Sequence, residues 1–80
     1  MKIYKYNGKC NACGPKIREE RERAQISQEQ LAAMLQLEGI NLNQKAVSRI
    51  ETGERVVADF ELHVFSKVLS VSVLFLLNID

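Results

Sequence analysis

From Pro15 onward, apolar residues recur at helical spacing, and the polar residues between them carry the start and stop signals of five short helices. Pro15 suits the first position of a helix, where its missing N–H loses nothing, and Ile17, Arg21 and Ala24 then share one face; a first helix is predicted over about Pro15 to Ala24. Ser27 followed by Gln30 matches a capping box, in which each side chain satisfies the other residue's backbone N–H. The second helix that it opens carries Leu31, Ala32, Met34 and Leu35 as its stripe and stops near Glu38, before Gly39. Asn43 caps a third helix that turns Ala46, Val47 and Ile50 inward, and Gly53 closes it. Asp59 caps a fourth with Leu62, Phe65, Val68 and Leu69 at helical spacing, and Ser70 or Ser72 opens a last apolar turn through Leu77.

Residues 1–13 lack that periodicity. Met1 and Ile3 alternate with Lys2, Tyr4 and Tyr6, but a lone strand finds no partner in the chain, so this stretch is predicted to be an extended arm ahead of a single all-α domain over 14–80. Eighty residues suffice for one small domain, and 46% hydrophobic with 26% charged residues is the balance of a packed globule. The formal charge of +1 is too small for bulk charge to imply a polyanionic partner, so any basic face must be local. Between Lys2 and Arg55 there are ten basic and seven acidic residues, whereas beyond Arg55 Lys67 stands alone against Asp59, Glu61 and Asp80. The apolar run Val71 to Leu77 is too short to span a bilayer, and the first residues lack the apolar stretch of a secretory signal, which predicts a cytoplasmic protein without membrane contact or structural disulfides.

Cys10 and Cys13 form C-x-x-C followed by Gly14, half of a zinc knuckle. One chain offers no second half, which leaves three readings: zinc held by four cysteines across a dimer, a redox pair, or unligated thiols on the arm. His63 falls on the predicted fourth helix with nothing to mark it as a base. No Ser/His/Asp grouping, Gly-rich phosphate loop or paired carboxylates in an apolar setting is present, so no catalytic residue is assigned.

The segment Ser27-Gln28 with Leu31-Ala32, a turn, then Val47-Ser48-Arg49-Ile50-Glu51 and Gly53 resembles the helix-turn-helix of the Cro/C1-type repressors, the XRE family. Ile17-Arg18 before it and Lys67-Val68-Leu69 after it extend the resemblance over about residues 15–77, with the helix-turn-helix itself at about 27–52. The resemblance implies a compact five-helix, lambda-repressor-like fold whose third helix enters the major groove of a pseudo-palindromic operator, with two copies about one DNA turn apart. Long polar residues at the start of that helix are what base reading requires, and Gln44, Lys45 and Arg49 provide them: Gln pairs bidentately with adenine, Arg or Lys with guanine. By family position Gln28 binds a phosphate at the head of helix two, with Asn43, Ser48 and Arg55 as further phosphate candidates, and Arg21 and Glu51 match a partly buried salt bridge.

Two departures from the family stand out, the longer connection between helices two and three and the absence of the usual Pro before helix four, where Val56-Val57-Ala58 stands. The family's usual Gly near position 36 is Gln36, and Leu37 to Leu42 lengthen the second helix or its turn, with Ile40 and Leu42 expected to tuck under the core. The C-terminus carries more apolar surface than one short helix turns inward, which points to Leu74, Phe75, Leu77 and Ile79 as a dimer surface. A sequence-specific DNA-binding regulator, acting as a repressor, is the expected function; the alternative is an interaction module that binds an apolar partner, such as a toxin or a larger regulator, through that same C-terminal surface.

Overall fold

The computed structural model describes residues 4–79. They form α1 (Gly14–Arg23), α2 (Gln28–Leu37), α3 (Gln44–Glu51), α4 (Asp59–Leu69) and α5 (Val73–Leu76), and their β-pairing is confined to a single Tyr6–Lys9 bridge. This is the five-helix, all-α fold expected of the sequence.

The helix starts follow local chemistry. Ser27 Oγ accepts from the Gln30 N–H at 3.0 Å while Gln30 Oε1 accepts from the Ser27 N–H at 2.7 Å, which completes the capping box. Asn43 Oδ1 accepts from Ala46 N–H at 2.8 Å to open α3, and Ser72, not Ser70, caps α5 through Phe75 N–H at 3.0 Å. Asp59 turns out to lie inside α4; the cap there is Glu61, whose carboxylate reaches back to the Ala58 N–H at 3.0 Å.

All five helices end on one device, a left-handed residue after the last turn: Gln25, Gly39, Gly53, Ser70 and Asn78 all have φ between 58° and 88°. Paired backbone bonds of the Schellman type close each end, as in Ile40 N–H to Leu35 O and Gly39 N–H to Gln36 O after α2. Two of the five positions are glycine. The others hold side chains in a region that costs L-residues about 1–2 kcal/mol, a penalty the surrounding packing absorbs.

The core gathers Ile17, Leu31, Leu35, Val47, Ile50, Phe65 and Leu76, all fully buried, with Leu42 nearly so. The material added between α2 and α3 is turn rather than helix. Its Leu42 is buried, Ile40 packs on the core, and the side chain of Gln36 donates to the Leu42 carbonyl at 3.2 Å, so the residue that replaces the family glycine pins the longer turn.

The N-terminal segment departs from an extended arm. Asn7 and Gly8, at φ 52° and 77°, make a tight turn in which Tyr6 and Lys9 exchange backbone bonds of 2.8 and 3.0 Å. The alternation of Met1 and Ile3 considered for a strand lies outside the described residues, and among those the pairing is the Tyr6–Lys9 bridge. After it the chain runs onto the end of α3 and enters α1 at Gly14. A Cβ on Gly14 would collide with the Ile50 carbonyl oxygen and lie 3.1 Å from that of Glu51, so the first turn of α1 crosses the end of α3 at backbone distance.

Between α3 and α4, Arg55 donates to both Glu61 oxygens, at 3.0 and 3.2 Å, and to the Val56 carbonyl at 2.9 Å. Burial pulls the Glu61 carboxyl upward, but the Arg55 hydrogen bonds and the Ala58 N–H outweigh it and leave the group below its ordinary value of 4.5.

Three outcomes follow from this geometry. Gly14→Ala lowers stability by about 2 kcal/mol or more in a chemical denaturation series, because the obstructing atom is backbone and cannot swing aside. Gln25→Gly raises it by about 0.5–1 kcal/mol by relieving the left-handed strain, and an unchanged midpoint would contradict that account. A carboxyl lowered in the folded state stabilises in full above its unfolded value and loses that contribution as pH falls through the folded one. Stability therefore declines as the pH drops below 4.5, and Glu61→Gln flattens that part of the thermal-midpoint curve.

Candidate nucleic-acid interface

Helix α3 has eight residues, and its pattern divides it cleanly: Val47, Ile50 and Glu51 are buried, Ser48 is half-buried, and Gln44, Lys45 and Arg49 face solvent. At 1.5 Å per residue the helix is only about 12 Å long, too short to stand on its own hydrogen bonds, so its orientation is set by what holds the buried face.

The tightest hold is a carboxylate. Glu51 is 2% exposed at its side chain and takes Arg21 Nε at 2.7 Å, Arg21 Nη2 at 3.2 Å and Gln28 Nε2 at 3.0 Å. Arg21 also donates to the Ile26 carbonyl at 2.8 Å, and its hydrogen bonds to Glu51 hold the guanidinium proton above its ordinary affinity despite the cost of burial. Gln28 passes the contact on: its Oε1 accepts from Gln44 Nε2 at 2.6 Å. Arg21, Glu51, Gln28 and Gln44 thus form one chain of polar contacts that crosses α1, α3 and α2 and ends on an exposed amide at the head of α3.

Charge pairing marks the same face. Of the ten Lys and Arg among the described residues, Lys16, Arg18, Arg21, Arg23, Arg55 and Lys67 each lie within 4.0 Å of a carboxylate. The remaining four, Lys5, Lys9, Lys45 and Arg49, have no acidic partner, and they lie on α3 and on the hairpin beside its end. The basic face that the whole-chain charge of +1 hides is therefore local.

The other candidates divide. Gln28 is half-buried and committed to Glu51 and Gln44, with one amide hydrogen free; Asn43 uses its oxygen on the α3 cap and keeps its amide hydrogens; Ser48 is half-buried beside Arg49. Arg55 has its fork on Glu61, a structural link that the sequence reading gave to phosphate. Cys13 is 2% exposed in the core, with its thiol pushed up to about 11 by burial, and Cys10 is half-buried. A zinc shared across a dimer does not fit a thiol in that place: it faces the core, not a second copy, and resists forming the thiolate a metal needs. The described residues hold no group of three or more His, Cys, Asp or Glu arranged for a metal ion.

At the C-terminal end, Leu74 and Ile79 are exposed, while Leu77 is half-buried and Phe75 lies half-buried with the Lys16 ammonium 4.6 Å from its ring centre. Leu77 and Ile79 also line a half-open cavity of about 590 Å³ between the N-terminal segment and the end of α3. Val56 and Phe60, which the sequence did not single out, are exposed as well.

The docking of the N-terminal segment was missed as well. Cys10 N–H bonds Gly53 O at 2.8 Å, Asn11 Nδ2 reaches Ile50 O at 3.0 Å and Arg55 O at 2.7 Å, and Lys9 Nζ reaches Thr52 O at 3.3 Å. Of these acceptors Ile50 lies in α3 and also takes the Gly53 N–H at 3.0 Å, while Thr52, Gly53 and Arg55 follow the helix, so the segment bonds the residues that close α3. The Asn7-Gly8 pair was the available signal for the turn.

A helix-turn-helix family model matches residues 17–76, three quarters of the chain. No curated protein gives a significant match. Among solved structures, the P22 c2 repressor protein in complex with synthetic operator 9T in the presence of Tl+ is similar at 28% identity and a TM-score of 0.73, over 88% of this chain and 98% of that one. The family model runs from within α1 to the end of α5, and with it the chain belongs to the Cro/C1-type (XRE) helix-turn-helix family.

Proposed function

We propose that this protein is a non-enzymatic transcription regulator, a repressor that binds a specific duplex DNA site with α3 in the major groove. The observation that carries this is the exposed, acid-free face of α3, Gln44, Lys45 and Arg49, held at a defined orientation by the polar chain behind it. Gln44 gives one Nε2 hydrogen to Gln28 and retains the other, along with its carbonyl oxygen, which is the donor and acceptor pair that the N7 and N6 edge of adenine requires. Lys45 and Arg49 suit guanine O6 and N7. Gln28, Asn43 and Ser48 border this face and are assigned to phosphates, with Gln28 at the capped head of α2, where helix-end amides favour an anion. The similarity to a repressor bound to its operator supports this assignment.

One α3 reads only a few base pairs. A homodimer on a pseudo-palindrome doubles the contact and places the two helices about 34 Å apart, and the exposed Leu74 and Ile79 are the proposed contact between copies.

Selection of bound duplexes from a random pool at about physiological salt is expected to enrich a two-fold symmetric motif, which a Gln44→Ala, Arg49→Ala double variant loses, each base contact being worth about 1–3 kcal/mol. A pool without enrichment, or a variant that matches the wild type, contradicts the reading. Gln28→Ala is expected to weaken binding and relax the preference at the base pair read by Gln44 alone; an unchanged motif would show that Gln44 does not depend on its neighbour.

A further inference from the structure

The family model begins at residue 17, and the hairpin lies ahead of it, an addition to the module. That addition is built rather than loosely attached. Its turn is closed by two backbone bonds, its exit is bonded to three carbonyls at the end of α3, and the Lys9 stem lies so close over Gly53 that a Cβ there would stand 2.6 Å from Lys9 Cδ. Between hairpin and helix runs a cleft of about 290 Å³ with Lys5, Gly8, Lys9 and Cys10 on one wall and Arg49, Thr52, Gly53 and Glu54 on the other.

Three cations line this cleft against one carboxylate, and that carboxylate is engaged: Glu54 accepts from the Thr52 hydroxyl at 2.7 Å. Lys5 and Arg49 approach from opposite walls without an acid, and the Lys9 ammonium touches only a carbonyl. Exposed cations held on one rigid edge keep a field that pairing would otherwise cancel, and the ligand such a field favours is an anion that arrives with the partner of α3.

From this placement we infer that the hairpin is a second DNA contact, a clamp in which Lys5 and Lys9 bind backbone phosphates next to the base pairs read by Arg49. The inference rests on the proposed DNA-binding function of α3 and extends it to a surface outside the family module. Arg49 belongs to both, reading a base at its tip while its charge adds to the clamp. Phosphate contacts of this kind position the protein without carrying sequence information, so the clamp raises affinity and leaves the preferred motif unchanged.

The test uses the full chain and the duplex enriched in the selection, with affinity measured by fluorescence anisotropy over a series of salt concentrations. Each phosphate neutralised contributes about 0.9 to the slope of log affinity against log salt. Lys5→Gln is expected to reduce the slope by about one and to weaken binding ~fivefold near physiological salt, with Lys5→Gln, Lys9→Gln reducing the slope by about two; the selected motif stays the same. Lys67→Gln removes the same charge from α4, away from the cleft, and is expected to leave the slope unchanged. Helical circular dichroism confirms that the variants are folded. The inference is overturned if the hairpin variants keep the wild-type slope, or if Lys67→Gln lowers it equally, since the effect would then be net charge. A wild type that binds no duplex in a salt-dependent way overturns the α3 reading itself, and is told apart because the failure precedes any substitution.

Discussion

A carboxylate shut away from water must be compensated where it stands, and Glu51 sets the terms for the three helices around it. Its side chain is 2% exposed, and an unpartnered charge in that position would cost several kcal/mol. Two donors from Arg21 on α1 and one from Gln28 on α2 meet it. Displacing any of the three helices breaks at least one of these bonds, so the relative placement of α1, α2 and α3 is defined by a directional contact as well as by the non-directional packing of Ile17, Leu35 and Val47. The pair is poor evidence of net stability, because burying two charges consumes most of what their attraction returns. Its effect is on geometry, and through Gln28 that geometry reaches Gln44, the first residue of the face assigned to base reading.

The same helix is fixed at its other end by different means. Thr52, Gly53 and Arg55 present carbonyls just beyond α3, and residues 9–11 supply donors to all three as well as a second donor to the Ile50 carbonyl, which already takes the Gly53 N–H. Gly14 then lets α1 start against the Ile50 carbonyl. A segment outside the family module therefore adds to the hydrogen bonding at the end of α3. Cys13 acquires its place in the core as a by-product of this route: the chain must turn inward between Asn11 and Gly14 to enter α1, and a small apolar thiol fits that point.

How much of this was legible depended on whether the partners of a residue are near it in sequence. Ser27 with Gln30, Asn43, Gly39 and Gly53 act within a few residues, and the helices they delimit were readable to within about one residue. Gln25 and Ser70 also act locally, yet they carry no signal, because a left-handed polar residue is a tertiary choice that propensity argues against. Asn11 and Cys10 bond backbone atoms roughly forty residues away, and a backbone carbonyl leaves no trace in a sequence. Arg55 is a related case: its charge made it a phosphate candidate, and its bond to an acid six residues on is seen only in the folded chain.

The unpaired cations give the face its meaning in a way composition could not. A chain with nearly equal numbers of acids and bases has no bulk field to steer it toward a polyanion. In this fold six of the described acids are spent on bases: Glu19, Glu20 and Glu22 on those of α1, Glu51 on Arg21, Glu61 on Arg55, Glu38 on Lys67. Among the described bases, what pairing leaves over is Lys5, Lys9, Lys45 and Arg49, on α3 and on the hairpin, at an edge where residues 9–11 also bond the backbone. Rigid placement and uncancelled charge arise from separate features of the sequence, the first from buried hydrogen bonds and the second from where acids are absent. Their coincidence on a single helix is what a surface for reading a charged polymer requires, since a flexible cation binds phosphate without register and a rigid neutral face meets no polyanion at all.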